Sequence, residues 1–335
     1  MMPRAGMPRA GVPRAGWTLL VVAMLAASLL ALMLGATPIA PGDVWDALAG
    51  RGDAATRAIV RTVRLPRVLL ALLVGGALGM SGTVMQGTLR NGLAEPYLLG
   101  VSGGAAVGAV LAVAGGFTAP PAVALAAFVG ALLAVAGVLA LARATGGEGD
   151  TRILLMAGVV IGAFANAAIM VVMAAAAPDV TRNALWWMMG SVAAAGWRDV
   201  LLLAVALAAI GVPLLHRARW LDVLALGGDS AGALGLDAPR AARHFFILAS
   251  LLAAATVAVA GLVGFVGLIV PHLARLFTGG RARATLVASA MCGGALVVVA
   301  DLAARTARAP AELPLGAVTA LLGVPFFLWR LRVGR

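Results

Sequence analysis

The sequence contains no lysine, so arginine alone supplies the positive charge behind its formal net charge of +12. Only 11% of its 335 residues are charged, against roughly 25% in soluble domains. A nucleotide-binding P-loop places a lysine on the phosphates, so this chain cannot carry one. Arginine in short loops sets membrane orientation, and the basic charge therefore does not by itself indicate nucleic-acid binding.

Cysteine and histidine are equally scarce. Cys292 is the only cysteine and lies in an apolar run, where it can form no disulfide within the chain. His216, His244 and His272 are too far apart for metal-ligand spacing, and we interpret His272 as structural. Paired carboxylates, a nucleophile elbow and a glycine-rich phosphate loop are missing as well. We expect no catalytic residue, metal or cofactor in this chain, which argues against an integral-membrane enzyme.

Hydrophobic residues make up 62% of the chain, and apolar runs near the length of a membrane span recur throughout. This pattern predicts an all-α polytopic membrane protein that forms a single domain over residues 1–335. The predicted spans are 17–36, 66–88, 99–115, 120–143, 152–175, 198–216, 243–263, 265–276, 284–304 and 313–330. The eighth is too short to cross alone, and we expect a broken unit with the seventh, helped by Gly261, Gly264 and Pro271.

Arginine positions indicate how the chain is oriented. Residues 1–16 form a repetitive basic tail before the first apolar run, which is long for a cleaved secretory signal and is interpreted as a retained span. With this tail inside, sixteen arginines fall on the cytoplasmic side and nine outside. The bias predicts a multi-pass protein with both termini in the cytoplasm.

Small residues recur at helix-packing spacing, which predicts close contact between helix backbones. The positions are Gly75 and Gly79, then Gly100, Gly104 and Gly108, then Gly158 and Gly162.

Residues 217–243 interrupt the apolar pattern with arginines at both ends and Asp222, Asp229 and Asp237 between them. The apolar spacing predicts two short helices broken at Gly227–Gly228, the second capped by Asp229 and Ser230. A helix lying on the lipid surface is the alternative, but such helices favour a basic polar face.

Four segments, 64–105, 226–237, 261–275 and 301–328, together with WMMGS at 187–191, carry a family resemblance. The chain resembles the permease subunits of type II ABC importers for ferric siderophores, heme and vitamin B12. The resemblance implies a ten-helix permease of the bacterial inner membrane that pairs with a second copy of itself. It also implies two separate ATP-binding cassette subunits, which would bind ATP and Mg and hydrolyse the nucleotide, and a soluble binding protein outside. Gly92 departs from the family, which usually has proline there.

The resemblance also implies roles for individual residues. The ATPase would dock on the segment 217–243, through Leu226, Gly227, Gly228, Asp229, Ala231, Leu234 and Gly235. The binding protein would dock on Arg64, Arg67 and Arg305, whose plainer role is to pair with local acids such as Asp301 and Glu312. The cytoplasmic gate would include Gln86, Asn91, Leu93, Asp150 and Thr151. Arg182 is added to the translocation path because of its place near the predicted outer mouth, and not from the resemblance. Arg182 is either an interfacial arginine or a contact for an anionic group such as a heme propionate.

The substrate is less constrained by the sequence. A chain poor in tyrosine and lysine but rich in alanine, methionine and leucine suits an apolar path for a flat macrocycle. This favours heme slightly over a ferric siderophore, with cobalamin third. An ion-coupled secondary transporter is the alternative class, but the acids fall in loops and at span ends rather than inside the spans.

Overall fold

The computed structural model describes residues 14–147 and 150–333, which contain fifteen α-helices and no strand. The helices are α1 Arg14–Met33, α2 Pro41–Leu48, α3 Ala54–Ala58, α4 Leu65–Leu89, α5 Val101–Ala114, α6 Pro120–Ala144, α7 Thr151–Ala175, α8 Pro178–Met188, α9 Trp197–His216, α10 Ala218–Ala225, α11 Gly228–Ala233, α12 Ala238–Ala260, α13 Val266–Thr278, α14 Ala282–Thr306 and α15 Leu315–Val333. A π-helical segment, Ile59–Arg64, runs into α4, and a 3-10 turn, Pro96–Leu99, precedes α5. The predicted basic tail lies outside the described residues except for its last three, which belong to α1.

Seven helical segments in the described chain are long and apolar enough to cross a membrane, and three shorter apolar helices accompany them. The seven are α1, the continuous segment 54–89 that ends in α4, α6, α7, α9, α12 and α14, and the shorter three are α5, α13 and α15. Together they confirm the predicted all-α fold with ten apolar helices. The short helices α2, α3 and α8 were not predicted.

α4 lies at the centre of the bundle, and 83% of its apolar stretch is buried. Its glycines allow this close packing. A Cβ atom on Gly75 would overlap the carbonyl oxygen of Gly293 in α14, and one on Gly82 would overlap that of Gly267 in α13. Gly79 meets the backbone of Ser289 in the same way. Missing side chains therefore let three helix backbones touch, which confirms the predicted packing role of Gly75 and Gly79.

Glycines also allow α5 and the turn before it to pack closely against α6 and α7. Cβ atoms on Gly104 and Gly108 would collide with the backbone of α6 at Gly130 and Ala126. Gly158 of α7 approaches the backbone of Leu99, where an added Cβ would lie 2.8 Å from the Cα atom. These contacts confirm the packing prediction for Gly104, Gly108 and Gly158, whereas a Cβ on Gly162 would lie at an ordinary 3.8 Å from Gly100.

The predicted break between the seventh and eighth spans is confirmed, and its position is now clear. α12 ends before Gly261, whose φ is +66°, and α13 begins after Phe265, whose φ is also +66°. The carboxylate of Glu95 accepts the N–H of Phe265 at 2.8 Å. Pro271 instead lies inside α13, and Gly264 does not adopt a positive φ, so neither makes the break.

The bundle has two ends. One end carries the short helical pair α10 and α11 together with the loops 90–95 and 145–147, and is called the handle end. The other, called the distal end, carries α2, α3, α8 and residues 307–314. The start of α1 belongs to the handle end, where Gly16 packs on Phe277 in the last turn of α13. From the distal end α15 runs back, so the first and last described helices begin and finish at the same end.

Candidate functional site

α10 and α11 form a short helical pair, called the handle below, whose two helices are separated at Gly227 (φ +107°). Leu221 and Leu224 are buried against the bundle, and Ala231 is fully buried. Leu226 and Leu234 each leave 64% of their surface exposed. The predicted pair of helices is therefore confirmed. Among the predicted coupling residues, Ala231 is buried, whereas Leu226 and Leu234 form an exposed apolar surface.

The predicted cap of the second handle helix is wrong. Gly227 occupies the N-cap position of α11, with no side-chain cap, and Asp229 falls in the first turn. The break needs a backbone conformation that glycine adopts most readily, so the helix starts before Asp229 and Ser230 can cap it. The acid that does cap a helix in this segment is Asp237, at the start of α12. Its carboxylate accepts the N–H of Arg240 at 3.0 Å.

The handle contacts two central helices, α4 and α14, at its own end of the bundle. Asp222 Oδ1 accepts the N–H of Ala282, the first residue of α14, at 2.9 Å. A Cβ on Gly87 of α4 would lie 3.6 Å from Leu221, and one on Gly227 would lie 3.3 Å from the Arg90 guanidinium. Sequence reasoning assigned no role to Asp222 or Arg90, because their partners lie far away along the chain.

The predicted gate residues of α4 and the following loop are held by specific contacts. Gln86 is buried, and its Nε2 donates to the carbonyl oxygen of Leu268 at 3.1 Å. Its Oε1 accepts from Arg275 at 2.8 Å. Asn91 Oδ1 accepts the N–H of Leu93, which is 49% exposed. Gln86 thus ties α4 to α13, whereas Leu93 is displayed at the handle end.

The other gate candidates lie apart from these. Asp150 caps α7 by accepting the N–H of Arg152 at 2.8 Å, with Thr151 as the first helical residue. Within residues 14–147 and 150–333, no hydrogen bond or ion pair joins them to Gln86, Asn91 or Leu93. Arg182 is exposed on α8 at the distal end, at the far side of the bundle from the other five.

Arg67 lies at the centre of a buried charge cluster at the distal end. Its guanidinium donates to both oxygens of Asp301, at 2.9–3.1 Å, and to both of Glu312, at 2.8 and 2.9 Å. The Asp301 residue is only 2% exposed. Such paired geometry compensates the cost of removing the charges of Arg67 and Asp301 from water, whereas the Glu312 side chain stays 39% exposed.

Arg64 and Arg305 complete the cluster by binding the end of α1. Arg64 donates to the carbonyl oxygens of Leu32 and Met33 at 2.6 and 2.9 Å. Arg305 donates to that of Ala31. These carbonyls belong to the last turn of a helix, where they have no partner within the helix.

This arrangement corrects the expected exposure of the three predicted docking arginines. Arg64, Arg67 and Arg305 are 4%, 7% and 9% exposed, because backbone carbonyls and local acids engage them inside the distal end. Their docking role stays a prediction. Sequence reasoning anticipated the acids but could not show that residues 67 and 301 meet.

Histidine and acid positions offer no metal site in the described part of the chain, where no group of three or more His, Cys, Asp or Glu residues converges. His272 Nδ1 lies 3.0 Å from the carbonyl oxygen of Leu268, one turn earlier.

Comparison with known proteins gives a consistent result. A model of the FecCD transport family matches residues 21–333. The chain is 42% identical to the hemin transport system permease protein HmuU of Yersinia pestis, covering 80% of this chain and 81% of that protein. It is also 42% identical to the cobalamin import system permease protein BtuC of Halobacterium salinarum, over 82% of this chain and 73% of that protein. A solved structure, described as an inward-facing conformation of a metal-chelate type ABC transporter, matches with a TM-score of 0.85 at 27% identity, covering 94% of this chain and 97% of that one.

Proposed function

Because this chain belongs to the FecCD transport family, we propose that it is the permease through which an ABC importer carries an iron complex into the cytoplasm, with heme as the substrate. The observation that carries the proposal is the handle, which exposes Leu226 and Leu234 at one end of a membrane bundle. Exposed leucines on a short helical pair suit a groove on another protein. Since the chain has no lysine, that partner has to supply the P-loop and hydrolyse ATP with Mg.

The proposed assembly holds two copies of this chain and two ATP-binding cassette subunits. The exposed face of α7 supports the pairing of copies, because Phe164, Met170 and Val171 are each more than 70% exposed. Leu226, Gly227, Gly228, Asp229, Ala231, Leu234 and Gly235 form the proposed ATPase-docking segment. In the bacterial inner membrane, the handle end and both termini would face the cytoplasm.

A soluble binding protein is proposed to deliver substrate at the distal end. Arg64, Arg67 and Arg305 lie just inside that end, and the exposed Arg61 and Arg308 neighbour them in sequence. Positive charge of this kind speeds and orients the approach of an acidic partner. Arg182, exposed on α8 at the same end, is the proposed contact for an anionic group such as a heme propionate. The cytoplasmic gate would use Gln86, Asn91, Leu93, Asp150 and Thr151.

Heme is supported by the relative named as a hemin transport permease. Cobalamin is the third candidate, and its support is that the relative named for cobalamin import is as identical to this chain as the hemin permease. A ferric siderophore stands beside heme because the solved structure is described as a metal-chelate type transporter.

The test is uptake by proteoliposomes that contain this chain, its ATPase and its binding protein. We expect ATP-dependent import of heme, exceeding that of a hydroxamate siderophore and of cobalamin, and no import when the P-loop lysine of the ATPase is replaced. Import of cobalamin alone would overturn the proposal that heme is the substrate. Import of every compound without ATP would overturn the importer class.

A further inference from the structure

A crevice of about 1210 Å³ lies between α6 and α9, and no residue assigned to coupling, docking or the gate lines it. The last part of α12 forms the floor of the crevice through the short side chains of Ala255, Ala258 and Val259. The volume exceeds the roughly 300–1,000 Å³ of pockets that enclose drug-sized ligands.

The lining changes from polar to apolar along the crevice. Thr118, Asn183, Ser191 and Arg198 line it at the distal end. Farther along α6 and α9 the lining is apolar and includes Leu125, Phe128, Leu202 and Ala206. A polar head above an apolar body is the chemical pattern of a phospholipid.

The lips of the crevice face outward from the bundle. Leu125 on α6 is 64% exposed and Leu202 on α9 is 53% exposed, and both helices are candidate membrane spans. Trp186 and Trp187 of α8 stand at the polar mouth, as tryptophan does where a bilayer meets water. In a membrane, acyl chains rather than water would meet these lips.

Arg198 supplies a charge that suits a phosphate. Its side chain is exposed and makes no ion pair within residues 14–147 and 150–333. The neighbouring acid, Asp199, also lines the crevice, but its carboxylate accepts the N–H of Gly196 at 3.0 Å at the start of α9 and forms no ion pair with Arg198 in the described residues. Guanidinium groups bind phosphate oxygens through paired, charge-assisted hydrogen bonds.

We propose that this crevice binds one phospholipid, with its phosphate on Arg198 and an acyl chain between α6 and α9. The proposal goes beyond the transport function and requires only that the chain spans a membrane. The lipid would cover the end of α12 just before the break at Gly261.

The test is native mass spectrometry of the purified full-length chain after incubation with palmitoyl-oleoyl phosphatidylglycerol, or with the diacylglycerol of the same chains, which lacks phosphate. We expect one phosphatidylglycerol per chain, retained also by the matched distal-end variant Arg308→Gln. Arg198→Gln should bind about tenfold more weakly, since charged hydrogen bonds contribute that much. Ala258→Phe, which fills the crevice, should retain none.

Equal retention by Arg198→Gln and Arg308→Gln, or equal retention of diacylglycerol, would overturn the proposal. Undiminished lipid in Ala258→Phe would also overturn it. If that variant fails to fold, Ala206→Phe fills the opposite wall and tests the same point. A disulfide between two copies that carry Leu202→Cys in a Cys292→Ser background would show that protein, not lipid, covers the crevice.

Discussion

Arg67 illustrates how a single side chain can hold several elements of a membrane protein together. It extends from α4 to Asp301 in α14 and to Glu312 in the following loop. Buried ion pairs are costly to break, because the remaining partner keeps its charge without compensation. Arg67 is therefore a structural residue first, whatever binds at the distal surface.

We expect Arg67→Ala to destabilise the protein by about 3–5 kcal/mol, because buried Asp301 would lose its hydrogen-bonded partner. It would keep only Arg305, whose Nε lies 3.8 Å from Asp301 Oδ2. Unfolding of the purified protein in detergent, followed by circular dichroism, measures this. Arg51→Ala is the matched control, since the Arg51–Asp46 pair is exposed and exposed pairs contribute little. Equal stability of the two variants would contradict the structural role.

Glu312 should make the same cluster sensitive to acid. Hydrogen bonds from Arg67 hold the pKa of Glu312 below its ordinary value of 4.5, so the unfolded chain binds this proton more readily. Its contribution to stability is complete above 4.5 and is lost as the pH falls through the lower folded pKa. The unfolding midpoint of the wild type should therefore exceed that of Glu312→Gln at neutral pH and approach it in acid. A difference that is constant with pH would contradict this.

Among the elements, α4 depends most on glycine for its place. A side chain at Gly82 would strike the backbone of Gly267, whereas one at Gly87 would meet only the end of Leu221 at an ordinary distance. Both positions are glycines in the same helix, so a Gly→Ala change has a similar effect on helix propensity at each. A difference in stability between the two variants therefore reports on packing.

We expect Gly82→Ala to cost about 1–3 kcal/mol through overpacking. Gly87→Ala should be neutral or slightly stabilising, because alanine favours the helix. Thermal unfolding of both variants in the same detergent measures the contrast. A stable Gly82→Ala protein would mean that α4 and α13 do not touch as described.

The handle should transmit movement to α14 through Asp222. Asp222→Ala removes the acceptor for the N–H of Ala282, and we expect fewer substrates imported per ATP hydrolysed, at a stability cost of about 1 kcal/mol. Asp222→Asn keeps an acceptor and should retain most coupling. Asp53→Ala is the control, because it removes a similar cap from α3 at the distal end. Normal coupling in Asp222→Ala would refute the transmission role.

The helices and their contacts also show how much of this fold can be predicted from the sequence. Long apolar runs placed the spans within a few residues, and Gly261 marked the break, because length and glycine act locally. The contacts of Asp222 with Ala282 and of Arg67 with Asp301 join residues far apart in the chain, and no local pattern encodes them. The π-helical segment and α8 were missed because short, mixed segments lack a clear period.

For the molecule as a whole, the exposed leucines of the handle offer the sharpest test of ATPase coupling. Bulky replacement of Ala231 or Gly235 would disturb the handle itself, since Ala231 is buried and Gly235 has a φ of +78°. Leu226→Asp and Leu234→Asp change only the exposed surface. We expect both to abolish stimulation of the ATPase without changing the unfolding midpoint. Leu321→Asp is unsuitable as a control, because it would place a charge in the apolar helix α15.

Trp45→Asp provides the control instead, because Trp45 is 69% exposed on α2 at the distal end and lies outside the candidate spans. It should leave ATPase stimulation by the permease unchanged. Stimulation lost equally in all three variants would point to general damage rather than to the handle.

The glycine contacts of α4 with α14, and of α5 with α6, also limit how the molecule can move. Backbones that touch directly leave no free volume for one helix to slide along the other. Each pair should therefore travel as a rigid body during a conformational cycle. Movement of one pair against the other would then bend the chain between α4 and α5, in the residues 90–100 that connect the two pairs.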